Sequence, residues 1–184
     1  MGRTGSSATC LVVVRGNSGC GKSSTALAVR SRLGRTCALV QQDVMRLTVL
    51  KERDVPDGVN IGLISTVARY ALDHGYHVII EGILHAERYA AMLTELAADH
   101  RGATAFYYLD VSFSESLRRH ATRPQAAEFG AEDMRGWYRH RDLLGVRGEH
   151  LIPETSTLHE TTARILGDVF GQYAHDPVTS TPGA

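Results

Sequence analysis

The chain has 184 residues, enough for one domain whose hydrophobic core needs neither disulfides nor a structural metal. Twenty basic residues balance twenty acidic ones, and this zero formal net charge argues against a nucleic-acid partner, which usually demands a basic excess. The longest apolar run, Leu11–Val14, is far too short to cross a bilayer, so no membrane span is expected.

In chain order, residues 1–9 carry Arg3 but no extended apolar segment; they predict a loose tail and no secretory signal. A strand is expected over Cys10–Arg15, followed by a glycine-rich loop and a helix opening near Lys22. Further apolar runs predict strands at Cys37–Gln41, His77–Glu81, Ala105–Asp110 and His150–Ile152. Between them, Ile61, Ile64, Ala68, Ala71 and Leu72 recur at helical spacing. So do Tyr89, Leu93, Leu96 and Ala97, and later Leu158, Thr162, Ile165, Leu166 and Val169. Gly34 and Gly75 stand where helices end. Alternating strands and helices predict an α/β fold: a doubly wound, five-stranded parallel sheet in three layers, with ligand sites at the strand C-terminal edge. The folded domain is expected over residues 10–173, with a helical lid near 118–145 and a second loose tail at 174–184. Cys10, Cys20 and Cys37 have neither paired nor zinc spacing, so free thiols and a cytoplasmic location are expected.

Gly16-Asn17-Ser18-Gly19-Cys20-Gly21-Lys22-Ser23 fits G-x-x-x-x-G-K-[ST] at every position, in strand–loop–helix context. The glycines let backbone N–H groups approach phosphate oxygens, and the helix N-terminus adds its positive end. Lys22 then reaches the β- and γ-phosphates and the Ser23 hydroxyl ligates Mg²⁺, with Ser24 close by. ATP and Mg²⁺ are the expected cofactors. The sequence holds no N-K-x-D guanine motif, no L-S-G-G-Q run and no Asp-Glu pair closing an apolar strand; Val78–Glu81 ends in a lone acid before Gly82.

The second strand ends in Gln41-Gln42-Asp43-Val44-Met45-Arg46, and Leu109-Asp110-Val111 precedes Leu117-Arg118-Arg119-His120-Ala121-Thr122-Arg123-Pro124. With the phosphate loop, these segments resemble the P-loop kinases that phosphorylate hydroxyls. That group includes the polynucleotide 5′-kinase domain, chloramphenicol phosphotransferase, gluconate and shikimate kinases, the zeta toxins and short bacterial proteins known only as kinases. The resemblance spans roughly residues 10–170 in order of elements. It implies a three-layer P-loop fold with a helical lid, and an Asp43 that lies beside the acceptor hydroxyl.

Each candidate has a plainer alternative. Asp43 is a candidate general base, or a helix cap. Arg46, one turn on, holds acceptor or phosphoryl group, or faces solvent. Glu81 binds Mg²⁺ through water or bonds the substrate, or else bonds the phosphate loop; Gly82 would let substrate approach the backbone. Arg119 and Arg123, four apart, supply a phosphate-facing pair or a solvated face. Ser156 and Thr157 lie near the adenine or cap the last helix, and Trp137–Arg141 closes over substrate or simply packs. The leading expectation is a phosphotransferase acting on a hydroxyl of a small molecule, a nucleoside-type antibiotic or another natural product. A nucleic-acid 5′-hydroxyl kinase and a non-catalytic nucleotide-gated regulator are the alternatives. Acceptor identity and oligomeric state are not encoded in any motif.

Overall fold

The computed structural model describes residues 2–122, 127 and 129–171. Five strands form one sheet: β1 Cys10–Gly16, β2 Cys37–Gln41, β3 His77–Gly82, β4 Ala103–Asp110 and β5 Glu149–Pro153. All neighbours pair in parallel, in the order β2-β3-β1-β4-β5. Six helices connect them: α1 Lys22–Leu33, α2 Val59–Asp73, α3 Ala86–Asp99, α4 Phe113–His120, α5 Ala131–Trp137 and α6 Leu158–Phe170. A six-residue π-helical turn, Val44–Val49, follows β2.

The central strand β1 shows why both faces must be covered. Its side chains alternate. Cys10, Val12 and Val14 pack with Ala26 and Val29 of α1 and with Ile165 and Val169 of α6. Leu11 and Val13 face Ile64, Ala68 and Leu72 of α2 and Tyr89, Leu93 and Leu96 of α3. The two apolar clusters are the two halves of a three-layer core, as a continuously apolar parallel strand requires. The helical stripes lie on these faces, except that Leu158 is largely exposed at the start of α6. Gly34 and Gly75 both have positive φ, so each reverses the chain after a helix without strain on a Cβ.

The N-terminal segment is not the loose tail that its composition predicts. Thr4 pairs with His100, and the Asp73 carboxylate accepts from the Thr4 hydroxyl at 2.8 Å and the Gly5 N–H at 2.7 Å. Thr9 is buried against His100 Nε2 at 3.0 Å. Polar side chains that bond each other do for this segment what apolar patterning does for a strand. Residues 172–184 lie outside the described part, and with them the whole of the expected C-terminal tail, 174–184. No described helix is long and apolar enough to cross a membrane.

Candidate active site

The parallel register sets Val14 of β1 beside Glu81 of β3, and Glu81 beside Gln41 of β2. The phosphate loop, the π turn and the loop after β3 therefore emerge along one sheet edge. Gly16, Gly19 and Gly21 adopt positive φ of 143°, 79° and 104°. A Cβ on Gly19 would meet the Ser116 carbonyl at 2.7 Å, and one on Gly16 would meet both Cys20 Sγ and the Leu109 carbonyl at 2.8 Å. The loop is thus shaped by its own glycines and braced by α4 and β4, with a surface on which anionic oxygens can lie. Lys22 is buried and donates from Nζ to the Asn17 carbonyl at 2.8 Å, with Cys20 Sγ at 3.8 Å. Both partners are uncharged, so an anionic phosphate, with its full charge, is the better acceptor for this ammonium. Ser23 is half-buried and Ser24 exposed in the first turn of α1. Among the described residues no cluster of three His, Cys, Asp or Glu is arranged for a metal, so a nucleotide-bound Mg²⁺ would rest on Ser23 and the phosphates.

Two cavities flank the loop. The first, about 230 Å³, is lined by Gly21, Ser24, Thr25, Arg119, Pro153 and Ser156 among others. Arg119 donates to Glu115 at 2.7 Å, to the Cys20 carbonyl at 3.1 Å and to the Glu154 carbonyl at 2.7 Å. These bonds tie the guanidinium to the wall between the phosphate loop and the segment after β5. In this arrangement the guanidinium is held within the protein rather than free. Arg118 points away, paired with Glu115. Glu115, taking hydrogen bonds from both arginines, is held down at about 2. Helix α4 ends at His120, before Arg123, which lies outside the described residues. Ser156 faces the cavity, whereas Thr157 caps α6 by accepting from the Glu160 N–H at 3.2 Å.

The second cavity is larger, about 520 Å³, and runs from Ser18 across Asp43 and Arg46 to Arg53, Asp54, Ile83, His85 and Arg88. Its other side is Phe129 and the end of α5 with Gly136, Trp137 and Arg139. Asp43 does not cap a helix. Its side chain is 71% exposed and accepts from Arg46 Nη2 at 3.0 Å. No local motif marks the device that holds the 50s loop. The Glu52 carboxylate accepts from the Val59 and Asn60 N–H groups, each at 2.8 Å, filling the role of the missing side-chain cap on α2. Those bonds keep Glu52 below the usual carboxylate range. Beneath the cavity, Tyr89 bridges Asp54 and Asn60 and accepts from Gln42 at 2.7 Å. Its phenol is pushed well up by burial. Tyr89 is therefore support for the cavity, while His85 lines it.

Gly82 and the plainer alternative for Glu81 turn out differently from the sequence expectation. The close approach that Gly82 permits is to protein: a Cβ there would sit 2.5 Å from both Cβ and Oε1 of Gln42. Gln42 itself accepts from the Leu84 N–H at 3.0 Å, which turns the chain into α3. Glu81 is buried and takes its hydrogen bond from Gln41 Nε2 at 2.8 Å, across the sheet, rather than from the phosphate loop.

The lid segment is latched to the phosphate loop. Asn17 is buried; its amide donates to the Arg139 carbonyl at 2.8 Å and accepts from the Arg139 N–H at 2.9 Å. Behind it lies an ion cluster that no motif announced. Arg15, with no exposed surface, donates twice to the Leu84 carbonyl and pairs with Glu149 at 3.0 Å and Asp142 at 3.2 Å. Burial alone would raise the Asp142 carboxyl. Hydrogen bonds from His85 and the Ala86 N–H, with the Arg15 charge, hold it below the usual range. The available signal was a lone arginine closing an apolar strand just before the first loop glycine.

The same fold occurs in several solved structures. The APS kinase of Mycobacterium tuberculosis, in complex with AMPPNP and APS, matches with TM-score 0.65 at 19% identity, over 89% of this chain and 96% of that one. A gluconokinase from Sinorhizobium meliloti 1021 matches with TM-score 0.59 at 19% identity, over 95% of this chain and 100% of that one. The tunicamycin resistance protein of Deinococcus radiodurans matches with TM-score 0.58 at 16% identity, over 87% and 95%. No curated protein sequence matches significantly. A family model described as AAA domain matches residues 11–140, from β1 to the residue after the Asn17–Arg139 latch. The match spans well over half of the chain, which therefore belongs to this AAA domain family.

Proposed function

We propose that the protein is an ATP- and Mg²⁺-dependent phosphotransferase acting on a hydroxyl group of a small molecule. The observation that carries this reading is the pair of cavities on either side of one complete phosphate loop. One adjoins Gly21 and Arg119; the other joins Ser18 to Asp43. A hydrolase needs a water beside the γ-phosphate, whereas a second cavity of about 520 Å³ is large enough for an organic acceptor.

Bound Mg²⁺-ATP supplies the phosphoryl group, its charge partly neutralised by the ion. The chain's own groups do the rest. Loop N–H groups and Lys22 align the phosphates, and the Ser23 hydroxyl would hold the ion. Arg119 forms the base-side wall. Asp43 orients the acceptor hydroxyl and takes its proton as the new P–O bond forms and the bond to the β-phosphate oxygen breaks, releasing ADP. Arg46 steadies Asp43 through their ion pair. Segment 131–142, latched through Asn17, closes the acceptor side and limits entry of water. Trp137 and Phe129 give the cavity an aromatic wall, which suits a ring-bearing natural product or nucleoside-type antibiotic. The likeness to a tunicamycin resistance protein points the same way.

The test is ADP release with Mg²⁺-ATP against a panel of nucleosides, nucleoside antibiotics, aminoglycosides, sugars and 5′-hydroxyl oligonucleotides, with products identified by mass. Acceptor-dependent release that Lys22→Ala abolishes supports the proposal. ADP release indifferent to every acceptor, or ATP binding without turnover on any, overturns it.

A further inference from the structure

The chain is neutral overall, yet its charges are not evenly placed. Arg46, Arg53, Arg88 and Arg139 line the larger cavity against two carboxylates, Asp43 and Asp54, a local surplus of two positive charges (4 − 2). Both carboxylates are already engaged: Asp43 with Arg46 at 3.0 Å, and Asp54 with Arg88 at 3.0 Å and with the Tyr89 hydroxyl at 2.7 Å. The Arg139 guanidinium, among the described residues, donates only to the Gly136 and Tyr138 carbonyls, each at 3.1 Å. Arg53 is exposed and has no ion-pair partner among the described residues. In addition, Arg46 keeps a buried Nε–H without a hydrogen-bond acceptor among the described residues, and the buried Arg88 Nε–H has only the Glu87 carboxylate near it, at the longer ion-pair distance of 3.6 Å. A surplus of guanidinium groups along one cavity, with a buried donor left open, favours an anion there. On the same wall Trp137 is 41% exposed, and its ring meets Phe129 in a T-shaped contact with centroids 5.1 Å apart.

We infer that the acceptor is a ring-bearing organic anion, its phosphate, sulfate or carboxylate held by Arg53 and Arg139 and its ring laid against Trp137. This rests on the larger cavity being the acceptor site of the proposed phosphotransferase. Planar guanidinium forks match these anions, and a partly exposed indole suits a flat ring. The anionic group is a recognition handle set between Arg53 on one side of the cavity and Arg139 on the other, distinct from the hydroxyl that Asp43 would orient.

The sequence has one tryptophan, so Trp137 fluorescence reports on this cavity directly. The full chain, saturated with Mg²⁺ and AMPPNP to fill the nucleotide side, is titrated with uridine 5′-phosphate against uridine. A second series uses phenyl phosphate, phenyl sulfate and benzoate against benzyl alcohol, and separates the three kinds of anion. The anionic member of each comparison is expected to saturate the signal at a concentration about tenfold or more below the neutral one. Arg53→Ala and Arg139→Ala, both at exposed side chains, are each expected to weaken anion binding about tenfold and to leave neutral probes unaffected. Equal midpoints for anion and neutral analogue, no response to any anion, or wild-type anion binding by both variants overturns the inference. Phosphoryl transfer to an uncharged acceptor overturns it while leaving the phosphotransferase reading intact. Tight anion binding at Trp137 with no transfer to any acceptor has the opposite consequence.

Discussion

Replacing Arg15 by methionine tests whether the ion cluster behind the phosphate loop holds the domain together. Methionine fills much of the same volume but removes the charge and four hydrogen bonds: two to the Leu84 carbonyl, one to Glu149 and one to Asp142. Asp142 keeps its Ala86 N–H bond at 2.8 Å and 22% of its side chain in solvent, so it tolerates the loss. Glu149 does not. Its side chain is 4% exposed, and one remaining bond, from the Leu144 N–H at 2.8 Å, cannot offset a buried charge. Breaking a buried pair from one side costs about 3–5 kcal/mol. At about 2–4 °C per kcal/mol for a domain of this size, Arg15→Met should lower the melting temperature by about 10 °C. Calorimetry and urea unfolding read it, and Arg15→Met combined with Glu149→Gln should recover part of the loss because the stranded charge is gone. If Arg15→Met stays within about 1 kcal/mol of wild type, Glu149 is not stranded and the reasoning fails.

Asp43→Asn should lower kcat by roughly 10²–10⁴-fold in the acceptor-dependent assay if Asp43 takes the proton. Because its side chain is mostly exposed, unfolding free energy should move by no more than about 0.5 kcal/mol; unchanged kcat would remove the base assignment. Gly82→Ala should destabilise by about 1–3 kcal/mol in denaturant titrations, because its methyl group must displace Gln42 and with it the bonds to Leu84 and Tyr89. His77 accepts the Cys10 N–H on Nδ1 at 3.1 Å, and burial pushes its pKa below the ordinary value. The unfolded chain therefore binds a proton near about pH 6.5 that the folded chain refuses, so this contribution is complete above that pH and is lost as pH falls below it. Melting temperatures between pH 7.5 and 5 should fall less steeply in His77→Gln than in wild type; identical slopes would exclude His77 as a source.

The phosphate loop and the alternation around it were legible because their information is local. Gly16 to Ser23 must bend in a way that glycine permits, and the continuous apolar strands require cover on both faces. Strand positions followed from the same patterns to within two residues, from Cys10–Gly16 through Glu149–Pro153. The N-terminal segment escaped this logic because Thr4, Thr9 and His100 are buried through mutual polar bonds, which composition reads as a tail. Gly82 was ambiguous for a related reason: a glycine announces a close approach without naming what approaches, and only the fold brings Gln42 there.

Sequence by itself determined the fold class, the phosphate loop and the acidic residues at the strand ends beside it, Asp43 two residues past β2 and Glu81 next to last in β3. Tertiary structure alone decided what those neighbours do. Arg119 became a wall because carbonyls of Cys20 and Glu154, 134 positions apart in the chain, converge on it. Arg15 found its partners Asp142 and Glu149 more than a hundred residues downstream. A chain of zero net charge gathered four arginines from three separate stretches into one cavity. Charge balance is a sum over residues, whereas binding depends on where those charges stand, and position is set by packing between segments that no local pattern connects.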